Sequence, residues 1–323
     1  MTKLVFVTQQ VDPEHPVLAT AVTKIKALAA RVDEVVVLAL GAKRGVLPEN
    51  CRVRTFEAPT QALRGARYEL ALAREVRGTD AVLAHMSPIY ALLAVPFRVR
   101  VLLWYTQTRT NRLLERTVRH ADVVLTVDED SFPFRSPKVR AIGHGIDVDA
   151  LPCAEPPGRT RLRLVALGRY SPVKGYPELI AAAQAAGAEL VIHGSTETPV
   201  ERRHKDDLRP GEGVVVAGPI SPGEVPALLT RFDALVSATR GGADKAVLEA
   251  GAACVPAFSP APAFAGLLPE ELAWQADLPA ALRAFAARSA DERGALGREL
   301  RERVRARHSL DRWADQVVEA ALR

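Results

Sequence analysis

Along this chain, compact apolar runs alternate with longer stretches in which apolar residues recur every three or four positions. Lys3–Thr8 (KLVFVT) and Glu34–Leu40 (EVVVLAL) are nearly continuous in apolar and β-branched residues, as strands buried on both faces are. Between them Val17, Ala21, Ile25 and Leu28 fall on one face of a helix predicted over Val17–Arg31. Together these segments predict a βαβ unit whose right-handed crossover opens a parallel sheet. Further strands are predicted at Arg52–Phe56, Ala81–Ala84, Val99–Tyr105, Val123–Val127 and Val139–Ile142, and helices over Leu63–Arg77, Ile89–Val95 and Asn111–His120.

After Leu151–Arg159 (LPCAEPPGR), dense in proline and glycine, the alternation begins again. Strands are predicted at Leu162–Leu167, Leu190–His193, Gly213–Ala217 and Ala234–Ser237, with helices at Pro177–Ala186 and Pro222–Arg231. A final helical tract, Leu278–Leu322, breaks near His308-Ser309. The expected fold class is therefore α/β: two Rossmann-like domains, 1–150 and 160–323, joined by a 151–159 linker, with parallel sheets facing a central cleft.

Composition adds limits. A chain of 323 residues with 48% apolar and 25% charged residues has enough core for two domains and is not disordered in composition. No apolar run reaches membrane-spanning length, and Leu4-Val5-Phe6-Val7 is too short and wrongly flanked for a signal peptide, so a cytoplasmic location is expected. Cys51, Cys153 and Cys254 match no metal-ligand spacing and read as buried reduced thiols. Residues 1–150 carry 21 Lys and Arg against 16 Asp and Glu, and the remainder 22 against 22, so the whole +5 excess lies in the first half. Such a half suits an anionic or lipid-linked acceptor and peripheral contact with a membrane. Nucleic acid is not indicated, since no basic run is interleaved with aromatics.

Candidate chemistry sits at the ends of the predicted strands, where open α/β sheets bind ligands. In the first half these ends carry Gln9 and Asp12 in the loop Gln9–Pro16, His85 in AHMSP, and Tyr105. In the second half the turn GRYSPVKG, Gly168–Gly175, follows a strand and precedes a helix. It carries Arg169, able to grip phosphate oxygens in pairs, and Lys174, a point charge. Leu235–Pro256 (LVSATRGGADKAVLEAGAACVP) runs from an apolar strand through Gly241-Gly242 into a small-residue helix that bears Glu249. That order aims a helix N-terminus at an anion.

GRYSPVKG, then AGPIS, then SATRGGADKAVLEAGAACVP resembles the C-terminal domain of retaining glycosyltransferases of family 4, which have the GT-B fold. AHMSP, WYT and GHGID extend the likeness over nearly the whole chain. The resemblance implies a metal-independent transferase that uses no cofactor and takes a nucleotide-diphosphate sugar, with uridine as the usual base. It assigns Arg169 and Lys174 to the leaving diphosphate, Glu249 to the ribose hydroxyls, and Val247 and Leu248 to the helix start near the phosphates. Gly168 and Gly194 fall at the donor site, Gly218-Pro219-Ile220, with Pro219 and Ile220 counted as donor-binding, on the loop whose backbone lies against the base, and His85 beside the transferred sugar. It also implies that a final helix around Leu310–Leu322 crosses back to the first domain.

Two positions depart from the family. The acid usually found eight residues before Glu249 is Gly241 here, leaving Asp244 or Lys245 as candidate contacts to the donor sugar. The glycine-rich loop after the first strand is replaced by QQVDPEHPVL. Two other readings follow: a catalytically impaired nucleotide-sugar-binding protein of the same fold, working with a partner, or a nucleotide-sugar epimerase. Asp128-Glu129-Asp130 is acidic but reads as a first-domain loop, and no metal ligands are assigned.

Overall fold

The computed structural model describes all residues except 154, 156, 158, 160 and 275 and the side chain of 130. Part of the 151–159 segment read as a linker, and the Asp130 side chain, thus lie outside the described residues. Contacts divide the chain into two compact units: Met1–Gly145 with Leu310–Arg323, and Ile146–Ser309.

The first unit contains strands β1 (Lys3–Val11), β2 (Glu34–Ala42), β3 (Cys51–Thr55), β4 (Ala81–His85), β5 (Arg100–Trp104), β6 (Val123–Thr126) and β7 (Val139–Ala141). Its first four helices are α1 (Thr20–Ala29), α2 (Gln61–Glu75), α3 (Pro88–Ala94) and α4 (Arg112–His120). The sheet is parallel throughout, in the order β3-β2-β1-β4-β5-β6-β7. Because strand side chains alternate faces, Val5, Val7, Val82, Ala84, Val101 and Leu103 form one buried surface under Tyr68, Leu72, Tyr90 and Leu114 of α2, α3 and α4. Side-chain caps fix two helix starts: Thr60 accepts from Leu63 N–H and Asn111 from Leu114 N–H.

The second unit contains β8 (Arg163–Leu167), β9 (Glu189–His193), β10 (Val214–Ala217), β11 (Ala234–Val236) and β12 (Ala257–Phe258), again parallel, in the order β10-β9-β8-β11-β12. Its helices are α5 (Tyr176–Ala185), α6 (Pro199–Asp207), α7 (Val225–Leu229), α8 (Lys245–Ala252), α9 (Leu278–Ala286) and α10 (Ala290–His308). The closing helix α11 (Leu310–Leu322) belongs to the first unit, where Trp313 is fully buried with its ring centroid 5.6 Å from that of Trp104. No helix among the described residues is long and apolar enough to cross a membrane.

Several expectations need correction. The first helix begins at Thr20, so Val17, placed on its apolar face, is exposed. Gln9 lies in a strand rather than a loop, because β2 runs on to Ala42 and pairs Gly41 and Ala42 with Gln10 and Val11. Helix α6 and strand β12 were not expected, and the C-terminal tract breaks a second time, at Ala287–Ser289, where the Ser289/Glu292 capping box starts α10. Cys153 and Cys254 form a disulfide, with Cα atoms 4.8 Å apart across 101 residues of sequence. Only the folded chain brings them together, so their spacing carried no sign of it. Cys51 remains a free, partly buried thiol, and burial pushes its pKa up to about 11.

Candidate functional site

In the second unit β8 is flanked by β9 on one side and β11 on the other, so successive strands are added in opposite directions from it. At such a switch point the loops leaving two adjacent strands diverge and open a crevice. The two loops here are Gly168–Gly175 after β8 and Ser237–Asp244 after β11.

The Gly168 loop is held by backbone and tyrosine hydroxyls. Gly168 N–H donates to His193 O at 3.0 Å and Tyr170 N–H to Ser195 O at 2.9 Å. The Tyr170 hydroxyl donates to Ala217 O (2.6 Å), and that of Tyr176 to Gly168 O (2.9 Å). Gly194 must lack a side chain, since a Cβ there would stand 2.2 Å from Gly168 O. Gly168 sits at φ 145°, and a Cβ on it would come within 2.7 Å of Lys174 Cε. The ends of β8, β9 and β10 are thus locked into one rim. Beyond it, Gly218 O accepts from Gly194 N–H, which sets the loop bearing Pro219 and Ile220 beside Gly194.

Both predicted cations of the turn are held by buried carboxylates. Lys174 Nζ lies 2.8 Å from Asp244 Oδ2 and spans the crevice between the two loops. The same oxygen accepts from Ser237 Oγ (2.9 Å) and Thr239 Oγ1 (3.2 Å), while Oδ1 accepts from Ala246 N–H (3.3 Å). Burial alone would raise the Asp244 pKa; the Lys174 charge and these donors outweigh it and hold the carboxyl below its usual range. Arg169 Nη1 bonds Glu201 Oε1 at 2.8 Å, and half of the arginine side chain is exposed. Glu201 is buried, and its other oxygen closes the Thr198/Glu201 capping box of α6.

Helix α8 starts at Lys245, and Asp244 caps it, so a carboxylate already occupies its N-terminal turn. Val247 and Leu248 point into the core and are fully buried, leaving only their backbone near the crevice. Glu249 stands one turn in and pairs with Lys245 at 2.5 Å. Gly241 and Gly242 lie in the loop before it, next to Arg240, whose guanidinium bonds Glu178 (2.7 Å) and lies over the Trp274 ring. Gly168, Lys174, Gly194 and Asp244 therefore converge, while Glu249 is joined to them through Lys245. Sequence reasoning missed Glu201, Ser237 and Thr239. The Thr198-x-x-Glu201 pattern was a readable helix start, whereas the two hydroxyls are recognisable only from their contact with Asp244.

The first unit has its own switch point, between β1 and β4. His85 ends β4, and Met86, at φ 57°, turns the chain into α3. The His85 ring stacks on Phe6 with centroids 5.5 Å apart, and its buried Nδ1 has no hydrogen-bond partner among the described residues. Burial, reinforced by the Lys24 charge, lowers its pKa to about 3, so the imidazole is neutral. Thr8 Oγ1 and Ser87 Oγ, on neighbouring positions, are likewise buried without partners. The neutral ring and the two hydroxyls thus hold unused hydrogen-bonding capacity inside the first unit, closed off from solvent. Tyr105 is buried against Phe132, and its hydroxyl donates to Arg109 O at 3.1 Å. Asp12 turns the chain after β1 by accepting from Glu14 N–H. Among the described residues no group of three or more His, Cys, Asp or Glu side chains is placed to share a metal ion.

Comparison with known proteins adds the family context. Residues 176–319 match the family model described as glycosyl transferase-like. No curated protein matches the chain in sequence. Among solved structures, HepE from Anabaena in complex with UDP and glucose is 13% identical, with a TM-score of 0.75 and 99% of each chain covered. A TarM variant from S. aureus, in complex with fondaparinux, α-GlcNAc-glycerol and UDP, is 9% identical, with a TM-score of 0.75 over 99% of this chain and 100% of that one. A glycosyltransferase from Rickettsia africae ESF-5 is 11% identical, with a TM-score of 0.72 over 99% and 97%. At these identities the likeness is one of fold. Residues 176–319 are thus similar to a glycosyl transferase-like family, and the two parallel-sheet units give the chain the GT-B fold.

Proposed function

We propose that this protein is a retaining, metal-independent glycosyltransferase of family 4 that moves a sugar from a nucleotide-diphosphate sugar to an acceptor. The observation that carries the reading is the pair of cations in the loop after β8, Arg169 and Lys174, each fixed by a buried carboxylate. Breaking the bond between the sugar's anomeric carbon and the diphosphate leaves negative charge on the departing oxygens. Cations already held in place stabilise that charge without reorganising. Asp244 in this account is a positioning residue: three donors besides Ala246 N–H are spent on or around its oxygens, so it serves Lys174 rather than the sugar. Glu249 receives the ribose hydroxyls on the oxygen not shared with Lys245, and Pro219 and Ile220 lie against the base.

Uridine is the base of choice, supported by the UDP bound in HepE and TarM. The neutral His85 orients a hydroxyl of the transferred sugar. The basic first half goes with a lipid-linked or anionic acceptor and with a cytoplasmic protein that touches the membrane peripherally. Gly241, standing where the family has an acid, favours one second reading, a nucleotide-sugar-binding protein without turnover. Calorimetric titration with UDP tests the donor side: the wild type binds, and Glu249→Ala weakens binding about tenfold, the loss of one or two hydrogen bonds to a charged group. Equal affinity in the variant would remove Glu249 from the nucleotide site.

A further inference from the structure

The first unit holds a second concavity, formed by the edge strand β3 and helix α2, elements that carry none of the residues assigned above. It has a volume of about 380 Å³, and three arginines, Arg54, Arg67 and Arg74, share its wall with Val53 and Leu70. Helical spacing explains the grouping, since positions 67, 70 and 74 lie on one stripe of α2 facing the edge strand. Gathering three guanidiniums there is unfavourable unless something negative offsets them.

The protein supplies little that does. Glu75, which is buried, is shared by Arg54 (2.5 Å), Arg52 (3.0 Å) and Lys3 (3.4 Å), and of these Arg52 also pairs with Glu34 (2.5 Å). Arg54 spends only its Nε on Glu75, and Arg67 spends one Nη1 on Glu57 O. Arg74 has no hydrogen bond or ion pair among the described residues, which leaves its whole fork open. Unspent guanidinium forks converging on one space match the oxygens of a phosphate. Val53 and Leu70, both partly exposed beside them, offer apolar contact to a carbon substituent. The volume lies at the small end of ligand pockets, enough for a phosphate and a short carrier.

We infer that the groove between β3 and α2 binds a phosphate monoester, carried either by a small soluble molecule or by a lipid headgroup. This site is independent of the donor-site reading, and the two fail separately. The test uses the full chain and the double variant Arg67→Gln/Arg74→Gln, two exposed positions whose side chains carry no core packing. Glycerol 3-phosphate is titrated calorimetrically, and in a second arm the protein is sedimented with phosphatidylcholine vesicles with or without phosphatidic acid. The far-ultraviolet circular dichroism and urea midpoint of the same samples report whether the fold is intact. Saturable binding is expected that weakens with rising salt and falls at least about tenfold in the double variant, with the urea midpoint unchanged. Binding in the first arm alone assigns a soluble ligand, and binding to phosphatidic acid vesicles assigns a lipid headgroup. No binding in either arm, or binding that the double variant retains, overturns it.

Discussion

Lys174 and Asp244 join the two loops of the crevice, and their coupling can be measured without a substrate. The ion pair spans 2.8 Å, with the carboxylate 6% and the lysine 19% exposed. At an effective dielectric of about 20 the gross attraction is about 6 kcal/mol, and the cost of desolvating both charges reduces the net to about 2 kcal/mol. Asp244→Asn preserves shape and the Ser237 and Thr239 contacts but removes the charge, so the second unit should lose about 2 to 3 kcal/mol in urea denaturation. Lys174→Met, with a stem of similar length, strands the buried carboxylate and should cost about 3 kcal/mol. In the double variant neither charge is left alone, so the losses should fall short of additive by about 2 kcal/mol. Additivity within about 0.5 kcal/mol would refute the argument that Asp244 is spent on Lys174 and would return it to the pool of sugar contacts.

Two further outcomes follow from buried groups elsewhere. His85 titrates in the folded state at about 3, below its unfolded value of about 6.5, so the unfolded chain binds the extra proton. Stability of the first unit is therefore fully present above about pH 6.5 and falls as the pH drops toward 3, at up to about 1.4 kcal/mol per unit; His85→Gln should flatten that slope, and an unchanged slope would show that the ring is not held neutral. The disulfide between Cys153 and Cys254 closes a span of 101 residues, for which chain entropy gives about 4 to 5 kcal/mol. Denaturation of the Cys153→Ser/Cys254→Ser variant, or of the reduced protein, should show a loss of that order, and identical midpoints with and without reductant would contradict it.

The strands were legible because they are buried on both faces, which forces continuous apolar runs such as EVVVLAL at β2 and RLVAL at β8. Helix α6 was not, since PVERRHKDD buries only Glu201 and so shows no apolar stripe; its capping box was the one available signal. Two-residue β12 is too short for any period to register. At the site, Arg169 and Lys174 stood out by their turn, and Glu249 by its helix. The carboxylates that hold the cations come from 32 and 70 residues away, a relation fixed by strand order and invisible along the chain. The disulfide escaped for the same reason, and because disulfides persist mainly in oxidising compartments, its presence weighs against reading the compartment from cysteine spacing alone.

The most direct test of the central claim is release of nucleoside diphosphate from a panel of nucleotide-diphosphate sugars, followed with wild type, Arg169→Ala and Lys174→Ala. The wild type should release nucleoside diphosphate from at least one donor, and kcat should fall about a hundredfold or more in each variant, the scale of losing one preorganised group at a developing charge. A wild type that binds UDP yet releases nothing from any donor with any acceptor offered, or variants that release as fast as the wild type, would contradict it.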